Sequence, residues 1–225
     1  ASVDCTGHGV PGAFMSVMAH NMLENIVAEK KLAQPALILD KLNITVLDTL
    51  RQESGSSAVK YGMDISLLVL DLKNNKLQFA GAHNPLLIVR AEEKNSSLEG
   101  SGQASPVLKG PRNLLAASSP YKRTEPTVTE IKADQTTIGM AREKFVNHEI
   151  EVAKGDMLYM FTDGFPDQKG GSENKKFFIS QFKELLASVA SKPVAEQKEF
   201  LGHTFTNWKT GNEQIDDVLV VGIRI

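Results

Sequence analysis

The sequence predicts an α+β fold in which helices pack outside antiparallel sheets. Three observations lead to this prediction. Apolar residues recur at helical spacing from residue 11 to about residue 31, and again from residue 35 into residue 53. Several short apolar segments then follow one another across tight turns, which is typical of an antiparallel meander. Two amphipathic segments and one last apolar segment complete the order.

The two predicted N-terminal helices are defined by their apolar spacing, and Pro11 suits a first helical turn. Methionine and leucine are often buried, so we expect those in both helices to belong to the core. The apolar positions are Phe14, Val17, Met18, Met22, Ile26 and Val27 in the first helix, and Leu37, Ile38, Leu42, Val46, Leu47 and Leu50 in the second.

The remaining elements are predicted from apolar runs, alternation, helical spacing and turn residues. Residues 2–3 read as the end of a strand whose beginning is absent. Further strands are expected at 65–72, 77–80, 86–90, 128–131, 145–152, 157–162 and 218–225, and amphipathic helices at 175–190 and 194–209.

We expect one domain over residues 1–225 with a polar insert at about 91–126. Ser, Gly, Lys, Glu and Pro dominate this insert. A loop of this length inside a compact domain is typical of a lid, a partner-docking segment or disorder. Because the sequence starts three residues before Asp4, a candidate site residue, we also expect a fragment that lacks N-terminal strands.

The composition excludes several classes of function. A formal net charge of −2 argues against a dedicated binder of nucleic acid or of anionic membranes. The single cysteine, Cys5, rules out an internal disulfide and suits a reducing cytosol. No apolar run approaches the roughly 18 residues of a membrane-spanning helix, and no signal peptide opens the sequence.

Acidic residues recur at the ends of predicted strands. Asp4 begins a glycine-rich corner, Asp64 precedes a strand, Asp163 ends one, and Asp216 and Asp217 precede the last. Carboxylates that face one another repel unless a cation neutralises them. If these acids converge, a divalent ion held by oxygen ligands, Mg²⁺ or Mn²⁺, is expected. The alternative is that each acid only caps its turn, as Asp-Gly commonly does.

Other catalytic patterns are absent from the sequence. It contains no Gly-x-Ser-x-Gly elbow and no phosphate loop, and its five histidines and one cysteine lack the spacing of a zinc site. His8 lies in the glycine-rich corner. The sequence favours neither of two roles for it, structural hydrogen bonding or a contribution to an active site. We expect His20, His148 and His203 to be structural or solvent-facing, and His83 to brace a turn.

Five blocks of the sequence carry a family resemblance. In order, they are DCTGHGVPGAFMS, GMDISLLVLD, AGAHNPLLIVR, GDMLYMFTDGFPDQ and QIDDVLVVGIRI. Together they resemble the bacterial PPM-type (metal-dependent, type-2C-like) serine/threonine phosphatases, in the stage II sporulation E-like branch. The blocks span nearly the whole sequence, and the insert at 91–126 does not match. The resemblance implies an α-β-β-α sandwich with two Mn²⁺ or Mg²⁺ ions in a cleft at the sheet edge.

The resemblance also assigns roles to individual residues. Asp4 would bridge the two ions, the backbone carbonyl of Cys5 would bind the second ion, and Asp163 and Asp216 would bind the first. Asp217, Asp64 and Gly164 are expected beside these ligands. The implied reaction is direct hydrolysis of phosphoserine or phosphothreonine by a water shared between the ions, without a phosphoenzyme. His8 would orient a water or protonate the leaving alkoxide.

The sequence departs from the family pattern in two places. Family members carry an upstream Gly-Asp motif that contributes an acid near the second ion, and this sequence begins too late to contain it. Ile138-Gly139-Met140 stands where the family commonly has a Pro-Leu-Gly-like turn.

Three functional hypotheses follow. The first is a metal-dependent phosphatase of bacterial signalling, acting on a phosphorylated protein such as an anti-sigma-factor antagonist. It would be cytoplasmic, or the cytoplasmic part of a larger protein with an upstream sensor, and would contact neither nucleic acid nor membrane through this segment. The second is a docking module that keeps the phosphatase fold with weak or no catalysis. The third, a nucleotide-handling enzyme that uses the glycine-rich corner, has the least support.

Overall fold

The computed structural model describes residues 1–7, 9–30, 32–51, 61–90 and 126–225. Within these ranges the strands are β1 (Ser2–Cys5), β2 (Met63–Asp71), β3 (Lys76–Ala82), β4 (Leu86–Arg90), β5 (Thr127–Ile131), β6 (His148–Glu151), β7 (Met157–Phe161), β8 (Lys169–Gly170), β9 (Lys175–Lys176) and β10 (Val220–Arg224). The helices are α1 (Gly9–Lys30), α2 (Pro35–Leu50), α3 (Gly164–Asp167), α4 (Ile179–Val189) and α5 (Val194–Trp208).

Two four-stranded antiparallel sheets form the centre of the fold. Their strand orders are β1-β2-β3-β6 and β10-β7-β4-β5, and β8 and β9 form a separate hairpin. Successive side chains of a strand point to opposite faces of its sheet. Leu86 and Ile88 of β4 accordingly pack with Leu77, Phe79 and other apolar residues in the layer shared by the two sheets. Leu87 and Val89 of β4 belong to a different cluster on the opposite face.

Helices cover the outer face of each sheet. Residues of α1 and α2, among them Met15 and Leu42, pack against Ile65 and Ala80 of the first sheet. Helices α4 and α5 pack against β4 and β7 of the second sheet through residues such as Phe182 and Leu201. The predicted α-β-β-α sandwich of antiparallel sheets is therefore confirmed. Within the described ranges, no helix combines the length and apolar character needed to cross a membrane.

Two predicted elements begin three or more residues later in the structure than expected. The predicted helix at 175–190 begins only at Ile179, because Lys175 and Lys176 instead pair with β8. Left-handed backbone at Gly171 (φ 68°) and Asn174 (φ 51°) allows this reversal. The predicted strand at 145–152 is shorter, His148–Glu151, and pairs with β3.

Helix α1 does not bury the whole apolar pattern. Phe14 is 77% exposed, Val17 62% and Val27 46%, whereas Met15 and Ala19 are buried. In α2, Leu37 is 47% exposed, so its predicted core role is wrong. Helix α1 is apolar on more than one side, and spacing alone therefore does not identify which side faces the sheet.

Two predictions fall outside the described residues. His8 lies between the described ranges, as does the insert up to residue 125, so both stay predictions. Of the other histidines, His20 and His203 are exposed and His148 is half-buried, with its ring near Phe79.

Candidate metal centre

Two acids lie side by side at the end of the first sheet. Strand β1 pairs antiparallel with β2 in a register that sets Asp4 opposite Asp64 and Cys5 opposite Met63. Residues directly opposite each other in an antiparallel pair project from the same face of the sheet. The backbone N–H of Thr6 extends the pairing by donating to the carbonyl oxygen of Gly62 at 2.9 Å. Asp4 and Asp64 therefore face the same side.

The glycine-rich corner follows directly after β1. Gly7 has left-handed backbone (φ 93°), which a residue with a side chain adopts at a cost. A Cβ at Gly12 would collide with the carbonyl oxygen of Gly7. Glycine at these two positions lets the strand turn at once into α1, so that Asp4 and Cys5 lie at the edge of the sheet.

The other acids lie at the end of the second sheet. Asp163 follows β7 and precedes the short helix α3, while Asp216 and Asp217 precede β10. Because β10 pairs antiparallel with β7, setting Val220 opposite Phe161, the two acidic segments lie next to each other. Gly164 has a steric role here, since a Cβ at this position would collide with the carbonyl oxygen of Asp217.

One cavity brings the segments from both sheets together. It has a volume of about 670 Å³. All the predicted acids line it, with Cys5 and six further residues: Asp4, Cys5, Thr6, Gly7, Asp64, Thr137, Met140, Asp163, Gln214, Ile215, Asp216 and Asp217. Acids that are distant in sequence thus share one space, whereas their individual roles as ligands stay predictions.

The pKa values of the acids reflect this crowding. Burial, and after it the charges of Asp163, Asp216, Asp64 and Asp217, raises the pKa of Asp4 from 3.8 to about 7. Burial is also the main reason that the pKa of Asp163 is raised, followed by the charge of Asp216. In the protein without ions, the cavity therefore opposes full ionisation of its own carboxylates.

The donor set fits a hard divalent cation. Carboxylate oxygens are the ligands that Mg²⁺ and Mn²⁺ prefer, and a cation would offset the burial and the repulsion that raise the pKa of Asp4. Burial raises the pKa of the Cys5 thiol, which disfavours thiolate ligation of a softer metal. Within the described residues, no group of three or more His, Cys, Asp or Glu side chains is arranged so that it could hold a metal ion.

The sequence analysis missed Thr137, which contacts one of these acids. Its hydroxyl donates to Oδ1 of Asp64 at 2.8 Å, across 73 positions of sequence. The backbones of Met63 and Ile138 exchange two hydrogen bonds of 3.1 and 3.0 Å, which bring Thr137 to Asp64. No sequence pattern marks such a contact, because it depends on how a loop lies against β2.

His83 lies in the turn where it was expected. Its backbone N–H donates to the carbonyl oxygen of Asp134 at 2.9 Å, and its φ is 56°. Burial raises the pKa of Asp64, and the Thr137 hydrogen bond and then the charge of His83 act against this rise. The charge of His83 therefore acts on one acid of the cavity, which its sequence context did not indicate.

Comparison with known proteins identifies the family. The family model described as Stage II sporulation protein E (SpoIIE) matches residues 1–109 and 117–225. The chain belongs to the SpoIIE family. The expectation that residues 91–126 do not match the family is wrong for most of that range, because only residues 110–116 fall outside the SpoIIE match. None of the curated proteins compared with the chain matches it.

Solved structures show that this SpoIIE family member has the PP2C-type phosphatase fold. The SiaA-PP2C domain of Pseudomonas aeruginosa is 28% identical with a TM-score of 0.76, and the match covers 99% of this chain and 74% of that one. The structure of the PP2C phosphatase domain and a regulatory-domain fragment of SpoIIE from Bacillus subtilis is 16% identical with a TM-score of 0.65. That match covers 99% of this chain and 53% of the other.

A third structure was described with metal ions. It is the catalytic domain of the serine threonine protein phosphatase PstP in complex with two manganese ions, 12% identical with a TM-score of 0.54. The match covers 98% of this chain and 84% of the PstP chain. At this identity, the likeness concerns the fold alone.

Proposed function

We propose that this domain is a metal-dependent protein serine/threonine phosphatase. The observation that carries the proposal is the shared cavity, in which Asp4 and Asp64 from the first sheet meet Asp163 and Asp216 from the second. Membership in the SpoIIE family and the PP2C-type fold support the same activity.

The proposed ion ligands come from three separate segments. Asp4 would contact both ions, the Cys5 carbonyl one of them, and Asp163 and Asp216 the other. Asp64 and Asp217 would lie beside these ligands. When bound, two divalent cations supply an acidified water and neutralise charge on the phosphoryl oxygens. Mn²⁺ and Mg²⁺ are the proposed ions, and PstP is described with two manganese ions.

The residues of the chain favour direct hydrolysis over a covalent intermediate. A protein nucleophile would have to be activated by a base or by a lowered pKa. Burial instead raises the pKa of the Cys5 thiol, which disfavours its thiolate as a nucleophile. The chain's own contribution is therefore to hold the carboxylates in place. His8 is proposed to orient a water or to protonate the leaving alkoxide.

The proposed substrate is a phosphorylated protein of a bacterial signalling system, for example an anti-sigma-factor antagonist. In this proposal the domain acts in the cytoplasm as the effector of a longer chain with an upstream sensor. Neither nucleic acid nor a membrane is a proposed partner of this segment, in line with the formal net charge of −2.

Asp163→Asn tests the proposed function. We expect the wild-type chain to release phosphate from a phosphoserine peptide only with Mn²⁺ or Mg²⁺, and the variant to lose at least about 100-fold, since one ion loses a charged ligand. Asp48→Asn is the matched control, because Asp48 lies on α2 and pairs with Arg142 on the surface. Full activity of Asp163→Asn would exclude the assignment.

A docking module without catalysis is the second candidate. It is favoured by the absence, among the described side chains, of a closed group of three metal-ligating residues. Calorimetric titration with Mn²⁺ separates the two candidates. A phosphatase should bind the ion tightly at the cavity, whereas a docking module should show no such binding and should still capture a phosphoprotein.

A further inference from the structure

The segment that carries Asp216 and Asp217 is hydrogen-bonded at both ends to residues that flank α3. Near its start, the carbonyl oxygen of Glu213 accepts a hydrogen bond from Nε2 of Gln168 at 3.0 Å. At its end, the carbonyl oxygen of Asp217 accepts one from Oγ1 of Thr162 at 3.0 Å. We propose that Thr162 and Gln168 are positioning residues that form a clasp, which holds the Asp216 carboxylate at the cavity opposite Asp163.

Thr162 provides the tighter end of the clasp. Its hydroxyl donates to the carbonyl oxygen of Asp217 and also accepts the N–H of Leu219 at 3.0 Å. Its backbone N–H donates to the carbonyl oxygen of Leu219 at 3.1 Å. The residue is only 3% exposed, so water does not readily replace these bonds. The residue directly before Asp163 thus fixes the residue directly after Asp216.

Gln168 provides the other end. The side chain is fully buried, and its amide donates to the carbonyl oxygens of Lys169 and Glu213, both at 3.0 Å. The backbone carbonyl oxygen of Gln168 accepts the indole N–H of Trp208 at 2.9 Å. Gln168 therefore joins the end of α3 to the end of α5 and to the beginning of the segment that carries Asp216.

Between its two attachments the segment is braced internally. Oδ1 of Asp216 accepts the N–H of Asp217 at 2.8 Å, and the side-chain amide of Gln214 donates to the carbonyl oxygen of Asp216 at 2.9 Å. These bonds limit the internal freedom of the segment, so its two attachments help to set where Asp216 lies. Outer partners of metal ligands typically change metal affinity about 10- to 100-fold when they are removed.

The clasp deepens the proposed function and rests on it for the binding of an ion by Asp216. The test combines hydrogen exchange of the amides at 213–219 in the metal-free chain with calorimetric titration by Mn²⁺ alone. We expect Thr162→Val to raise exchange in this segment several-fold and to weaken Mn²⁺ binding by about tenfold or more.

Two control variants accompany Thr162→Val. Thr162→Ser keeps the hydroxyl and should retain both exchange protection and Mn²⁺ affinity. Thr129→Val makes the same chemical change at an exposed position of β5 in the same sheet and should alter neither. Gln168→Met releases the other end of the segment and should raise exchange near Glu213.

The outcomes separate the clasp from the proposed function. Unchanged exchange at 213–219 in Thr162→Val would overturn the clasp, whatever the metal result. An equal increase in exchange throughout the second sheet would also overturn the clasp, because the bonds would then stabilise the whole domain. Loss of folding in both Thr162→Val and Gln168→Met would overturn it for the same reason. If the wild-type chain binds no Mn²⁺, the proposed function fails, and the exchange result still decides the clasp.

Discussion

In the folded protein, Asp4 keeps its proton to a higher pH than an ordinary aspartic acid does. Its pKa is about 7 in the protein without ions, compared with the ordinary value of 3.8. An acid whose pKa is higher in the folded state than in the unfolded state favours folding only while it is protonated. This contribution is complete below about pH 4 and is lost as the pH rises through about 7.

Asp4→Asn should therefore change the pH dependence of stability in the metal-free chain. Relative to wild type, the variant should gain stability between pH 4 and pH 8, because asparagine cannot ionise. Urea unfolding in the presence of a chelator measures this difference. Asp71→Asn is a control of opposite sign, since hydrogen bonds from Asn74 lower the pKa of exposed Asp71. Parallel pH profiles for wild type and Asp4→Asn would contradict the prediction.

At the scale of single elements, two glycines differ in what surrounds them. Gly164 opens α3, and a Cβ there would collide with the backbone of Asp217. Gly202 lies inside α5, and a Cβ there would meet nothing within 4 Å. The first glycine permits close packing of two segments, whereas the second only weakens a helix.

The same substitution should have opposite effects at these positions. Gly164→Ala should lower the free energy of unfolding by about 1–3 kcal/mol, because backbone must move to accommodate the methyl group. Gly202→Ala should raise it by up to about 1 kcal/mol, as expected for alanine in an exposed helix interior. Chemical denaturation measures both. Equal effects of the two substitutions would show that close packing does not explain Gly164.

At the scale of the whole molecule, two phenylalanines distinguish the sandwich core from the outer surface. Phe79 of β3 has no exposed area and lies in the layer between the sheets. Phe14 of α1 is 77% exposed. The stability of the sandwich should therefore depend strongly on the first side chain and hardly on the second.

Truncation of each phenylalanine tests this layered arrangement. Phe79→Ala should destabilise the fold by about 3–5 kcal/mol, from lost burial and the cavity left behind. Phe14→Ala should change stability by less than about 0.5 kcal/mol, as is usual for surface positions. The midpoints of urea unfolding give both values. A large loss for Phe14→Ala would mean that other parts of the molecule cover this face of α1.

Sequence patterns predicted the features that depend on local periodicity. The short apolar run of β4 was sufficient to predict a strand, and acids such as Asp163 and Asp216 could be placed at strand ends. The predicted helix at 175–190 began too early because its first residues, Lys175 and Lys176, are set by pairing with β8. The hydrogen bond from Thr137 to Asp64 spans 73 positions, so it depends on tertiary packing and has no local signal.

The chain order of the acidic segments has a consequence for biosynthesis. A ribosome adds the acid on β1 to the chain well before the acids that precede β10. Until β10 pairs beside β7, the cavity lacks one wall. A nascent polypeptide would therefore complete the proposed ion site only in the step that adds β10 to the second sheet.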